Sequence, residues 1–213
     1  QEGLNLDVCT GGELAVALRA EFPPARIGLH GNNKSVAELR RALEVGVGRI
    51  IVDSVDEIDR LVELAAELGV TANVMVRVTA GVEAHTHEYI STSHEDQKFG
   101  FSIADGAAFA AVRRILDGEG LNFLGLHSHI GSQIFVSDGF EVAARRVLRL
   151  HEQIARELGV TAPELDLGGG FGSGLAAGTG DQNVDVATDR LGGGNGVQRG
   201  ALDGAVVVFG VNE

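Results

Sequence analysis

The sequence predicts an α/β fold, a partial TIM (β/α) barrel, on three observations. Up to about Gly172, short β-branched runs alternate with segments whose apolar positions fall three and four apart, the pattern of parallel strands with crossover helices. Polar or Gly-rich residues follow the runs, in DVCTGGE, LHGNNKS, VDS, RVTAG, HSHIGS and LGGGFG. Barrels gather their sites at the C-terminal ends of many strands, whereas an open doubly wound sheet needs only one or two such loops. The third observation is length: 213 residues fall short of the roughly 250 typical of eight units, so the barrel is expected to be incomplete.

The elements follow in order. Strands are expected at 5–9, 26–29, 49–52, 73–78, 123–129 and 164–167, each a short apolar run closed by a polar or glycine cluster. Helices are expected at 12–19, 35–44, 55–68, 105–116 and 139–158, where the apolar residues keep helical spacing. Ser35 and Ser54 read as N-caps, with Glu38 and Glu57 three residues on as capping-box partners. Gly46, Gly69 and Gly159 read as helix stops, because a left-handed residue ends a helix at least cost when it is glycine. Residues 173–213 change texture. GSGLAAGTGDQN and LGGGNG have no apolar period and read as loop, and only 205–211, AVVVFGV, reads as a further strand.

Composition narrows the function. Thirty acidic against seventeen basic side chains give a net charge of −13, so nucleic acid and anionic membrane surfaces are disfavoured as partners, and an anionic ligand needs a local cradle. No apolar run reaches membrane-span length and the first residues lack the pattern of a secretory leader, so the cytoplasm is expected. The single cysteine, Cys9, permits no internal disulfide and is expected to be a small buried residue rather than a nucleophile. Lysine chemistry has only two candidates, Lys34 and Lys98.

Two stretches carry chemistry. In LHSHIGSQ, residues 126–133, His127 and His129 are two apart on a strand and share a face, while Gly131 and Ser132 offer backbone and hydroxyl donors. That face suits a metal, a flat phosphate-bearing cofactor, or two ordinary buried histidines. In LDLGGGFG, residues 165–172, Gly168, Gly169 and Gly170 let successive N–H groups converge on an anion; the alternative is a tight turn. A metal reading would add His85 and His87 from EAHTHEY, with His94 nearby, although that stretch reads as a loop whose histidines are solvated. Asp7, Glu13, Arg77 and Lys98 lie at or near strand ends, where opposite charges can form a buried network.

Taken together, LDVCTGGEL, LHGNNKS, VDS, RVTAGVEAHTHEYIST, QKFGFS, GLHSHIGSQ and LDLGGGFG, spread in order over residues 3–172, resemble the pyridoxal-phosphate-dependent decarboxylases with an alanine-racemase-like barrel, in their diaminopimelate branch. The resemblance implies a PLP-binding barrel at 1–172, incomplete and without the family's C-terminal β-domain, and a Gly-rich tail at 173–213 that diverges from the family. It implies that pyridoxal 5'-phosphate stacks on His129, that Ser132 and the N–H groups of Gly168, Gly169 and Gly170 hold the phosphate, and that Asp7 and Arg77 line the pocket. Glu13 and Lys98 would be supporting charges, and His127 a neighbour behind the stacking ring.

The implied activity is decarboxylation of meso-2,6-diaminopimelate to L-lysine, an amino-acid substrate handled by a homodimer. The family's Schiff-base lysine belongs to a Tyr-Ala-x-Lys-Ala motif that these 213 residues do not contain, and neither Lys34 nor Lys98 matches it. The chain by itself is therefore expected to be inactive. Two other classes compete: a metal-dependent barrel hydrolase using His85, His87, His127 and His129, and a non-catalytic interaction fragment.

Overall fold

The computed structural model describes residues 4–81, 99–131, 138–169, 199–202 and 205–208. Its strands are β1 (Leu6–Val8), β2 (Ile27–Leu29), β3 (Arg49–Val52), β4 (Ala72–Thr79), β5 (Phe101–Ser102), β6 (Leu121–Ser128), β7 (Glu164–Asp166), β8 (Arg199–Leu202) and β9 (Ala205–Val208). The helices are α1 (Gly11–Arg19), α2 (Val36–Val45), α3 (Val55–Leu68), α4 (Ala107–Asp117) and α5 (Asp138–Leu158), with a short 3-10 turn at Pro24–Arg26.

The sheet runs β1-β2-β3-β4-β6-β7-β9-β8, with β5 paired to β4. All pairings from β1 to β7 and from β7 to β9 are parallel, and only β8 to β9 is antiparallel. Sequential parallel neighbours with helical crossovers make a half-barrel, as the alternation of patterns predicts. Two strands have no counterpart in the sequence reading. β5 is two residues long, too short to show a period, and β8 is held by its pairing with β9 rather than by composition.

Local chemistry sets the helix ends. Thr10 and Ser35 each accept the N3 backbone N–H while Glu13 and Glu38 reach back to the cap, two complete capping boxes. Ser54 caps α3 in the same way, but Glu57 does not reach back: its carboxylate is turned inward. Gly46 and Gly69 close α2 and α3 in the left-handed conformation that glycine adopts without a Cβ penalty.

One core fills the space between the sheet and the helices. Ile50, Val52, Val76 and Leu126 from the strands pack with Leu39, Ile58, Val112 and Ile154 from the helices, all nearly inaccessible to water. Burying an aliphatic side chain of this size contributes about 1.5–3 kcal/mol. Because strand side chains alternate, the intervening residues face the other, concave side of the half-barrel. There Ile51 and Met75 lie among polar residues that include Arg77 and His127.

Candidate cofactor-binding site

Register brings the concave residues side by side. His127 on β6 is opposite Arg77 on β4 and Asp166 on β7, and Asp7 on β1 is opposite Gly28 on β2. Close approach of backbone requires glycine at Gly125, while at Gly28 a side chain would only displace the Asp7 carboxylate. A Cβ on Gly125 would lie 1.8 Å from the Glu164 carbonyl oxygen, and one on Gly28 would lie 2.8 Å from Asp7 Oδ1.

The imidazoles form the centre. His127 is buried, and the His30 ring meets it edge-on with centroids 5.0 Å apart and planes at 75°. His30 Nε2 lies 3.4 Å from Asp7 Oδ1, within ion-pair range but outside hydrogen-bond geometry. His30 Nε2 and His127 Nδ1 are both inaccessible and find no hydrogen-bond partner among the described residues. Burial holds the His127 pKa well below the usual imidazole range, reinforced by His30 and Arg77. His129 is lowered for the same first reason, with Arg77 and His30 adding to it. Both rings are therefore neutral at neutral pH.

The end of β7 closes against the end of β6. Gly168 adopts φ +69°, and a Cβ there would meet the Ser128 carbonyl oxygen at 2.6 Å and His129 Nδ1 at 3.1 Å. The Gly168 N–H donates to Asp166 Oδ1 at 2.8 Å, so it shapes the turn, and Gly169 is buried beside it. Burial pushes the Asp166 carboxyl up to about 6, opposed by the Gly168 hydrogen bond and assisted by the Asp7 charge.

The structure thus brings Asp7, Arg77, His127, His129, Gly168 and Gly169 to one concave face. Ser132, Gly170 and Lys98, and the His85, His87 and His94 of the metal reading, lie outside the described residues. Three expectations are corrected. Glu13 is not part of a buried charge network: it is exposed, its carboxylate accepts the backbone N–H groups of Cys9 and Thr10 at 2.6 and 3.0 Å, and these bonds lower its pKa. Cys9 is exposed rather than buried, because it sits just beyond β1, the edge strand of the sheet among the described residues. Partial burial and the Glu13 and Asp7 charges raise its pKa and blunt it as a nucleophile. Glu57 completes no capping box with Ser54: its carboxylate takes the Asp53 N–H and pairs with Lys34 at 2.6 Å in the interior.

His30, Asp53 and Asp166 are site residues that motif reading passed over. Each is a polar residue at or just beyond a strand end, two positions from an inward-facing neighbour, and that alternation is the signal that finds them.

The site motifs have relatives. Residues 1–192 match the family model described as pyridoxal-dependent decarboxylase, pyridoxal binding domain. The chain belongs to the pyridoxal-dependent decarboxylase family. It is 61% identical over 176 residues to the diaminopimelate decarboxylase of Mycobacterium tuberculosis, covering 81% of this chain and 39% of the relative. To that of Bacillus subtilis it is 48% identical over 172 residues, again covering 81% and 39%. The diaminopimelate decarboxylase from M. jannaschii, solved in co-complex with L-lysine, superposes with a TM-score of 0.71 at 36% identity, covering 78% of this chain and 38% of that one. The chain therefore spans about two fifths of the length of these relatives.

The concave face fits the pyridoxal group of this decarboxylase family. Neutral imidazoles offer flat rings, and the crease at Gly168 admits no side chain. Among the described residues no group of three or more His, Cys, Asp or Glu side chains is placed to hold a metal ion.

Proposed function

We propose that this chain is the cofactor-binding part of a diaminopimelate decarboxylase, which converts meso-2,6-diaminopimelate to L-lysine and carbon dioxide with pyridoxal 5'-phosphate. The observation that carries this reading is the 61% identity to diaminopimelate decarboxylases across the segment that builds the concave face. When bound, pyridoxal phosphate supplies an electron sink for the pair left as carbon dioxide departs.

The chain's own residues supply placement. His129 offers its neutral ring to one face of the pyridine, because a protonated ring there would repel a cationic heterocycle. His127 stands behind it and fixes the layer by packing against His30. Gly169 and Gly170, with Ser132, would give N–H and hydroxyl donors to the phosphate, and Gly168, whose own N–H goes to Asp166 Oδ1, makes the turn that leads into Gly169. Arg77 and Asp7 line the pocket from β4 and β1, one of each sign, and Lys98 adds a supporting charge.

Lys34 does not serve as the amine that joins the cofactor. Its ammonium donates to Gly31 O, Ile51 O and Glu57 Oε1 at 2.7, 2.7 and 2.6 Å and is sealed from solvent. Borohydride reduction in the presence of pyridoxal phosphate is expected to leave Lys34 unmodified by peptide mapping, and the chain assayed alone to give no turnover.

No helix among the described residues is long and apolar enough to cross a membrane. The family resemblance, and not that observation, is the ground on which we propose a cytoplasmic homodimer. The test is an assay of the protein carrying this chain with pyridoxal phosphate and meso-diaminopimelate. Equimolar release of carbon dioxide and L-lysine is expected. Turnover of ornithine in place of meso-diaminopimelate, or of neither, would overturn the assignment.

A further inference from the structure

Asp53 follows β3 directly, and its side chain is only 5% exposed. Its two oxygens hold two different segments. Oδ2 pairs with Arg77 Nη1 at 3.2 Å, and Oδ1 accepts the backbone N–H of Gly100 just before β5. The Arg77 guanidinium also lies 4.6 Å from the centroid of the Phe99 ring, so it is held from a second side. Gly100 adopts φ +72°, and a Cβ there would come within 2.7 Å of the Arg77 carbonyl oxygen, so the junction closes only with glycine.

The geometry of this pair differs from the other arginine–carboxylate pairs that join different elements among the described residues. Arg49 with Glu164, Arg40 with Glu67 and Arg114 with Asp59 each use two nitrogens on one carboxylate, the strong fork arrangement. Arg77 gives Asp53 one. Among the described residues no other group accepts from the Arg77 fork, which carries five N–H donors. A buried ion pair is also a poor stabilising device compared with apolar packing, since desolvating the carboxylate offsets most of the attraction. Burying Asp53 beside a guanidinium that stands opposite His127 in register, and that gives it one of five donors, has the form of a support that aims Arg77.

We propose that Asp53 is a positioning residue that acts through Arg77, holding the guanidinium at the end of β4 so that its remaining donors face the pyridoxal phosphate. This rests on the cofactor reading above. Asp53 touches no cofactor itself: it fixes the direction of the arginine that does.

The test is a double-mutant cycle on cofactor affinity, with pyridoxal phosphate titrated into the chain and followed by circular dichroism in the cofactor's own absorption band. Asp53→Asn keeps an oxygen for the Gly100 N–H and removes the charge that holds Arg77. Loss of an aimed charge-assisted hydrogen bond predicts about tenfold weaker binding for Asp53→Asn, and as much or more for Arg77→Met. The double variant is expected to bind no more weakly than Arg77→Met alone. Independent, multiplicative losses in the double variant would show that Asp53 only supports the fold and would overturn the proposal, as would Asp53→Asn binding like the parent while Arg77→Met is weakened. If Arg77→Met binds like the parent, the cofactor reading of Arg77 fails and the proposal with it. Should Asp53→Asn not fold, Asp53→Glu, with the charge displaced by one methylene, is expected to bind between parent and Arg77→Met. Parental affinity there would overturn the proposal.

Discussion

At the scale of the residue, Lys34 and Glu57 are the largest commitment of charge to the interior. Burial raises the Glu57 pKa, and the Lys34 charge opposes that rise. Breaking such a pair leaves one buried charge without a partner, so Lys34→Met or Glu57→Leu alone is expected to cost about 3–5 kcal/mol in urea denaturation. The double variant should cost less than either single, because no buried charge is then left without a partner, although two carbonyls lose their donor and the Asp53 N–H its acceptor. Asp166 gives a second prediction, in pH. Its folded pKa of about 6 lies above the model-compound value of 3.8, so the unfolded chain releases the proton first as pH rises. The associated stability is complete below that lower value and is lost as pH climbs through about 6. At about 1.4 kcal/mol per pH unit, the decline is on the order of 3 kcal/mol. Asp166→Asn is expected to flatten the fall in stability between pH 4 and 7 measured by thermal melts; an unchanged slope would assign it elsewhere.

At the scale of the element, most of the half-barrel is legible in the sequence. The spans 49–52 and 55–68 coincide with β3 and α3, and the remaining helices shift by a residue or two at their ends. These are the segments whose apolar period is long and whose caps are local, so tertiary contacts have little to add. What escapes is non-local. The inward turn of Glu57 could not be read from S-x-x-E spacing, because the same spacing serves a capping box at Ser35 and an interior ion pair at Ser54, and the choice depends on Lys34 from another element. Capping itself predicts modest effects: Thr10→Ala or Ser35→Ala should each cost about 1 kcal/mol by denaturation. Gly125→Ala should cost more than either, since its methyl would displace the β7 backbone rather than a flexible side chain.

At the scale of the whole molecule, a helix-covered sheet turns an apolar face outward to the helices and carries polar side chains toward the ends of its strands on the other face, which gathers residues from β1, β2, β3, β4, β6 and β7. The motifs HSHIGS and LDLGGG announced this site in the sequence because their glycines and histidines are chemically conspicuous. His30, Asp53 and Asp166 did not stand out, since single polar residues at strand ends acquire meaning only when parallel register sets them beside His127 and Arg77. On the proposed function, this inward face holds pyridoxal phosphate by its ring and by its phosphate together. The most direct measurement compares pyridoxal phosphate with pyridoxal as ligands of the chain, for the parent and for Gly168→Ala, whose methyl would strike Ser128 and His129. The account predicts saturable binding of pyridoxal phosphate by the parent, markedly weaker binding of pyridoxal, and loss of that difference in Gly168→Ala. Equal affinity of the parent for the two ligands, or no saturable binding of either, would contradict it.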